Sequence, residues 1–230
     1  MRCTALFIAL TFAAVPLVAP AQSAVVIPPP AVAQSAPGAT QETAVLAGGC
    51  FWGVQAVFQH VRGVVSAVSG YAGGEQKDAA YAIVSTGRTA HAESVKIVFD
   101  PKQISYGKIL QIYFSVAHDP TELNRQGPDT GPQYRSAIFP QSEAQAKIAK
   151  DYIAQLDAAH VFKRPIATTI APVHKAFYPA ESYHQDYATR HPYQPYIVFN
   201  DRPKVENLKA MFPDLWREKP VLASAADSGN

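Results

Sequence analysis

A thiol, two large aromatic side chains and three glycines meet within one hexapeptide, Gly48-Gly49-Cys50-Phe51-Trp52-Gly53. The apolar run Ala44-Val45-Leu46-Ala47 leads into it and reads as a buried strand ending in a tight turn. Val54, Val57, Phe58 and Val61 follow at helical spacing. Cys50 is therefore predicted at the start of a helix, where unpaired N–H groups and the positive end of the dipole converge. That setting lowers a thiol pKa and populates the thiolate, the form that acts as nucleophile. A lone cysteine is more often a small buried hydrophobe, and it is these neighbours that argue for reactivity. A thiolate beside two aromatics suits a substrate with a small apolar group next to a polar centre.

The cysteine count sharpens the point. The 230 residues contain two cysteines, Cys3 and Cys50. Cys3 lies in a stretch with Arg2 at its head, an apolar run through Leu17-Val18 broken by Pro16, and Ala19-Pro20-Ala21 at its end. This pattern is expected to be a cleaved secretory signal over residues 1–21 rather than a membrane anchor, because the apolar run is short for a span. The protein is then exported, periplasmic or secreted, with no stable membrane span. The mature chain keeps one thiol and can form no internal disulfide. Residues 22–43 are rich in Pro, Ala, Gln and Ser, with Pro28-Pro29-Pro30 at the centre, and read as an extended flexible linker. Residues 44–218 are expected to form the folded domain and 219–230 a disordered tail. Apolar residues make up 48% of the chain, charged ones 17%, and the net charge is +2. This composition excludes a disordered or membrane-embedded chain and gives no footprint for nucleic acid.

The elements that must hold Cys50 follow from pattern. Val64 to Val68 reads as a strand running into a loop, Gly70-Tyr71-Ala72-Gly73-Gly74. Val95, Ile97 and Phe99 alternate with Ser94, Lys96 and Val98 and predict a half-buried strand closed by Asp100-Pro101. Ile109, Leu110, Tyr113, Phe114 and Val116 form an apolar helix face. The Pro/Gly-rich stretch from His118 to Gln133 is too long for a mere connection and reads as a functional loop. Tyr134 to Phe139 is a further strand. Ser142 with Gln145 predicts a capping box for a helix that runs to about Ala159, with Ile148, Tyr152 and Leu156 on one face. A strand over Ile166–Ile170 and a short helix over Val205–Met211 complete the pattern, which is α/β or α+β with helices against a mixed sheet.

The hexapeptide resembles the signature of the A-type peptide methionine sulfoxide reductases. Further blocks resemble that family in the same order: Gly70-Tyr71-Ala72-Gly73-Gly74, Thr89-Ala90-His91-Ala92-Glu93, His118-Asp119-Pro120, Arg125-Gln126-Gly127-Pro128-Asp129, Gln133-Tyr134-Arg135-Ser136 and Tyr183-His184-Gln185-Asp186-Tyr187. The resemblance covers about Ala44 to Phe199. It implies a two-layer sandwich of ferredoxin-like type with long loops, and reduction of the S epimer of methionine sulfoxide, free or protein-bound. It implies that Cys50 attacks the sulfoxide sulfur, that Phe51 and Trp52 wall the methyl group, and that Glu93 protonates or hydrogen-bonds the oxygen. Tyr81 and Tyr134 would assist, and Asp129 would orient the site. A carboxyl among aromatics has its pKa raised by desolvation and can carry the proton the departing oxygen needs.

Three residues depart from the family pattern: Gln55 in place of glutamate, Ala90 in place of glycine, and Pro132 in place of threonine. More consequential, the tail holds no resolving cysteine. The Cys50 sulfenic acid is then expected to be reduced by an external thiol, such as thioredoxin, glutaredoxin with glutathione, or dithiothreitol. No cofactor and no metal are expected, and a monomer is. Two readings compete. In one, Cys50 works with His91 or His118 as a hydrolase or acyl transferase. In the other, the chain binds oxidised methionine without turning it over.

Overall fold

The alternation seen at Val95, Ile97 and Phe99 sorts the whole sheet into two faces. A computed structural model describes residues 24–33, 36 and 38–223. The expected leader over residues 1–21 lies outside them. In chain order the elements are β1 (Glu42–Gly48), α1 (Phe51–Gln59), β2 (Val64–Ala72), α2 (Tyr81–Val84), β3 (Ala92–Phe99), α3 (Tyr106–Ile112), β4 (Arg125–Gln126), β5 (Asp129–Thr130), β6 (Ser136–Phe139), α4 (Glu143–Ala158), β7 (Thr169–Ile170), β8 (Phe177–Pro179), α5 (Tyr187–Arg190) and α6 (Arg202–Met211). Six strands form a mixed sheet in the order β7-β6-β1-β3-β2-β8, in which β6–β7 is the parallel pair. Its inner strands β6-β1-β3-β2, with α1 after β1 and α3 after β3, are the split βαβ arrangement of a ferredoxin-like two-layer fold.

On one face, Leu46, Val95, Ile97, Phe99 and Ile138 bury against Val54, Val57 and Phe58 of α1, Ile109 of α3, Leu156 of α4 and Leu208 of α6. On the other, Val45, Ala47, Ala92, Ala137 and Phe139 make a smaller cluster under Ala171 and Phe177. Ser142 caps α4 by accepting the Gln145 N–H at 3.2 Å, while the Gln145 side chain accepts from the Gln141 N–H at 3.0 Å.

Four sequence expectations shift. Gly70-Tyr71-Ala72 is strand, not loop, because these residues pair with Ser94, Glu93 and Ala92 on one side and with Pro179, Tyr178 and Phe177 on the other. The strand expected over Ile166–Ile170 shrinks to Thr169–Ile170. The third concerns flexibility: the described residues 24–33 lie along α3 and α4. Gln111 donates to the Ile27 carbonyl (2.9 Å), Tyr152 to Pro28 (2.6 Å) and Gln155 to Pro29 (2.9 Å); Gln155 also accepts from the Ala31 N–H (3.0 Å). Gly107 donates its N–H to the Ala33 carbonyl (2.9 Å). Proline has no N–H, so a proline-rich segment leaves mainly carbonyls to satisfy, and side-chain donors supply that need. Ile27 is 4% exposed. Ile27→Ala is expected to cost roughly 2–4 kcal/mol of stability, as for other buried aliphatics, read by denaturant unfolding. An unchanged midpoint would show that this segment is not held to the domain. At the other end, Val221 and Ala223 donate their N–H groups to the Gln59 carbonyl (3.0 Å) and Asp186 Oδ1 (2.9 Å), so the ordered chain runs past 218.

Candidate active site

Cys50 is the N-cap of α1, with φ −54° and ψ 124°, and its side chain makes no capping bond. Gly49 reaches it with φ +87°, and a Cβ there would lie 2.5 Å from Gln126 Cγ, so only glycine serves this turn. Glu93, the second residue of β3, lies on the same side as Val95, Ile97 and Phe99, the face that α1 covers. Its carboxylate accepts the Phe51 N–H at 3.1 Å, at the head of α1. Tyr81 opens α2, Tyr134 ends the turn 132–134, and Asp129 comes from the β4–β5 ribbon.

These residues line one pocket of about 190 Å³: Cys50, Phe51, Trp52, Tyr81, Glu93, Asp129, Tyr134 and Tyr196. Every site residue expected from the sequence is among them. The space is below that of an ordinary cofactor cleft and suits one side chain. Tyr196 was not foreseen. Its hydroxyl donates a short hydrogen bond to Asp129, and its ring meets Trp52 edge-on with centroids 5.9 Å apart. Trp52 also stacks on Tyr187 at 3.8 Å and donates its indole N–H to His184 Nδ1 at 3.2 Å. His184 lies 5.0 Å from the Phe51 ring, centroid to centroid. The block Tyr183–Tyr187 therefore braces both aromatic walls.

The electrostatics correct one expectation. The Cys50 thiol is pushed well up, not down. Burial is the main cause, the Glu93 and Asp201 carboxylates add to it, and the Trp52 N–H at the helix head opposes it without prevailing. Burial also pushes Glu93 up to about 8. At neutral pH the resting site therefore holds a thiol and a carboxylic acid, two protons side by side. Tyr81 and Tyr134 are raised chiefly by desolvation, so both hydroxyls remain donors. Burial raises Asp129, while the Tyr196 hydrogen bond and Lys204 pull it back.

The histidines proposed as general bases are engaged elsewhere. His91 accepts the Gly74 N–H at 3.2 Å and meets the Glu75 carbonyl at 2.9 Å. His118 is buried between the Tyr113 carbonyl (3.1 Å) and Ser136 Oγ (2.7 Å), and desolvation lowers it to about 3. Neither lines the pocket, which removes the geometric basis of a Cys–His hydrolase. The departures from the family pattern are accommodated. Gln55 donates to the Ala67 carbonyl (3.0 Å) and accepts the Asp186 N–H (3.0 Å). Arg135 donates to the carbonyls of Ala90 (2.8 Å) and Pro132 (2.8 Å), tying those two positions together.

The profile of the peptide methionine sulfoxide reductases matches residues 42–215. The chain belongs to that family. Its likeness to the peptide methionine sulfoxide reductase MsrA 2 of Mesorhizobium japonicum is 60% identity over 195 residues, covering 85% of this chain and 98% of the relative. To MsrA 2 of Synechocystis it is 51% over 173 residues, covering 75% of this chain and 80% of the relative. Among solved structures, the reduced form of yeast Mxr1 superposes with a TM-score of 0.62 at 32% identity, covering 74% of this chain and 96% of that one. Methionine sulfoxide reductase A of Corynebacterium diphtheriae gives 0.57 at 34% identity, covering 76% and 91%. This peptide methionine sulfoxide reductase is thus an oxidoreductase, with the two-layer fold of its relatives.

Proposed function

We propose that this reductase acts on the S epimer of methionine sulfoxide through Cys50, with Glu93 as the acid. The observation that carries the assignment is the pairing of a buried thiol with a buried carboxyl in a pocket the size of one side chain, where burial pushes that carboxyl up to about 8. Phe51 and Trp52 take the methyl group, and the Tyr81 and Tyr134 hydroxyls hold the oxygen. Cys50 sulfur bonds to the sulfoxide sulfur as the S–O bond breaks, the thiol proton and that of Glu93 carrying the oxygen away as water. A water then attacks the Cys50 sulfur of this sulfonium adduct, returning a proton to Glu93, releasing methionine and leaving a sulfenic acid on Cys50. The balance is sulfoxide plus thiol giving sulfide plus sulfenic acid, a two-electron transfer. Two external thiols return Cys50 to the thiol, forming water and a disulfide; a thioredoxin-fold protein suits this step. Export, with repair of oxidised proteins outside the cytoplasm, follows from the leader pattern of residues 1–21.

Turnover of the separate S and R epimers with dithiothreitol tests the reading. Strong preference for S supports it, and equal turnover overturns the epimer assignment. The acid role has its own signature. Protonated Glu93 can donate to the sulfoxide oxygen and ionised Glu93 cannot. In Cys50→Ser, affinity for methionine sulfoxide is therefore full below about pH 8 and lost above it. A weakening of about tenfold is expected from pH 7 to pH 9. A flat calorimetric profile over that range would remove Glu93 as donor.

A further inference from the structure

The hexapeptide ends in Gly53, and the space beside it is filled by charge. A Cβ on Gly53 would lie 2.1 Å from Asp201 Oδ1 and 2.9 Å from Lys204 Nζ. Asp201 is fully buried and Lys204 nearly so; they form an ion pair at 3.2 Å. Asp201 closes a π-helical turn, Ile197–Asp201, that runs straight into α6, so its carboxylate lies inside a continuous helical stretch with Lys204 as its cation. Its second oxygen, Oδ2, has no hydrogen-bond partner among the described residues. Buried ion pairs seldom repay their desolvation, and an apolar pair of equal volume serves stability as well. A half-satisfied carboxylate pressed on the first turn of a catalytic helix therefore calls for another explanation.

We propose that Asp201, clamped by Lys204 against Gly53, is a positioning residue of the reductase site, setting both the packing and the charge behind the turn that carries Cys50. The segment bearing it, Ile197–Met211, packs on α1 in a tail that has no resolving cysteine. The groups that feel Asp201 are Cys50 on α1, Glu93 on β3, Asp129 on β5, Tyr196 and Lys204. Three of these are acids whose protons the anion holds in place, namely Cys50, Glu93 and Tyr196. Burial raises the Asp201 carboxyl, and the Lys204 ammonium at 3.2 Å pulls it back towards the anion; Lys204 also opposes the rise of Asp129. In this arrangement Asp201 touches no substrate. It keeps the resting nucleophile protonated beside a protonated acid, so that both protons are present when the sulfoxide arrives.

The inference rests on Cys50 being the nucleophile, but its test does not require turnover. The rate of Cys50 alkylation by iodoacetamide, followed against pH, reports the thiolate alone. Asp201→Asn keeps the shape, removes the anion and leaves Lys204 to favour the thiolate. Alkylation at pH 8 is expected to quicken roughly three- to thirtyfold, the scale of one charge acting across a few ångströms of protein. Asp201→Asn/Lys204→Met removes both charges and is expected to return to within about twofold of the parent. Should the single variant fail to fold, Lys204→Met carries the test with the opposite sign, a slower alkylation. An unchanged or slower rate in folded Asp201→Asn, or a double variant as fast as the single, would reduce the pair to a packing feature. Loss of turnover in Cys50→Ser is the separate check on the reductase reading, so the two ideas fail independently.

Discussion

Glu93→Gln is expected to lower kcat for methionine sulfoxide by roughly 10²- to 10⁴-fold, the usual contribution of a positioned general acid. This corresponds to about 3–5 kcal/mol of transition-state stabilisation. The substitution is nearly isosteric. A glutamine carbonyl can still accept the Phe51 N–H that Glu93 accepts at 3.1 Å, so the head of α1 keeps its partner. The glutamine amide can also donate a hydrogen bond to a sulfoxide oxygen. What it cannot do is give up a proton. KM should therefore move little while kcat falls, the pattern of an interaction realised in the transition state. Steady-state kinetics with a thiol reductant in excess checks this. A rise in KM with kcat intact would demote Glu93 to a substrate-binding group, and normal kcat would pass the proton to Tyr81 or Tyr134.

That carboxyl was marked by the resemblance of its block, Thr89 to Glu93, to the family; spacing alone left it open as an exposed strand-edge group. In the fold it shares the alternation of Val95, Ile97 and Phe99 and so lies on the face α1 covers. The strand–turn–helix around Cys50 was legible from local pattern, since a short continuous apolar run gives way to helical spacing across Gly48-Gly49. Local pattern could not reveal what closes from afar. The Tyr196–Asp129 contact spans 67 residues, and nothing in the spacing of either marks it. Gly70-Tyr71-Ala72 looked like a loop because glycine is a strand breaker, yet pairing on both sides holds it in the sheet. The thiol pKa went astray in sign for a physical reason. Helix-dipole stabilisation is a local property of the chain, whereas desolvation and the Glu93 and Asp201 carboxylates belong to the assembled site. In the folded protein the second group wins, which moves activation of the thiol from the resting enzyme to the complex with sulfoxide.

The larger effect belongs to Cys50. Cys50→Ser is expected to reduce turnover by about 10⁴-fold or more, because a serine hydroxyl supplies almost no nucleophile at neutral pH. The wild-type enzyme offers a stricter measurement. Cys50 is the single free cysteine of the described residues, and it lies buried at the pocket. In a chain lacking residues 1–21, or with Cys3→Ser, no second thiol exists to form an internal disulfide. Excess methionine sulfoxide without reductant should then release one equivalent of methionine and stop. Mass spectrometry should find Cys50 carrying one added oxygen, trapped by a sulfenic-acid reagent in the same one-to-one ratio. Adding dithiothreitol should restart steady turnover. The pocket explains why the intermediate can wait: Cys50 is 8% exposed, and the space in front of it is lined by Trp52, Tyr134 and Tyr196 among others. Turnover beyond one equivalent without a thiol would require a different source of electrons and would overturn the scheme. A burst that leaves Cys50 unmodified would move the chemistry to another residue.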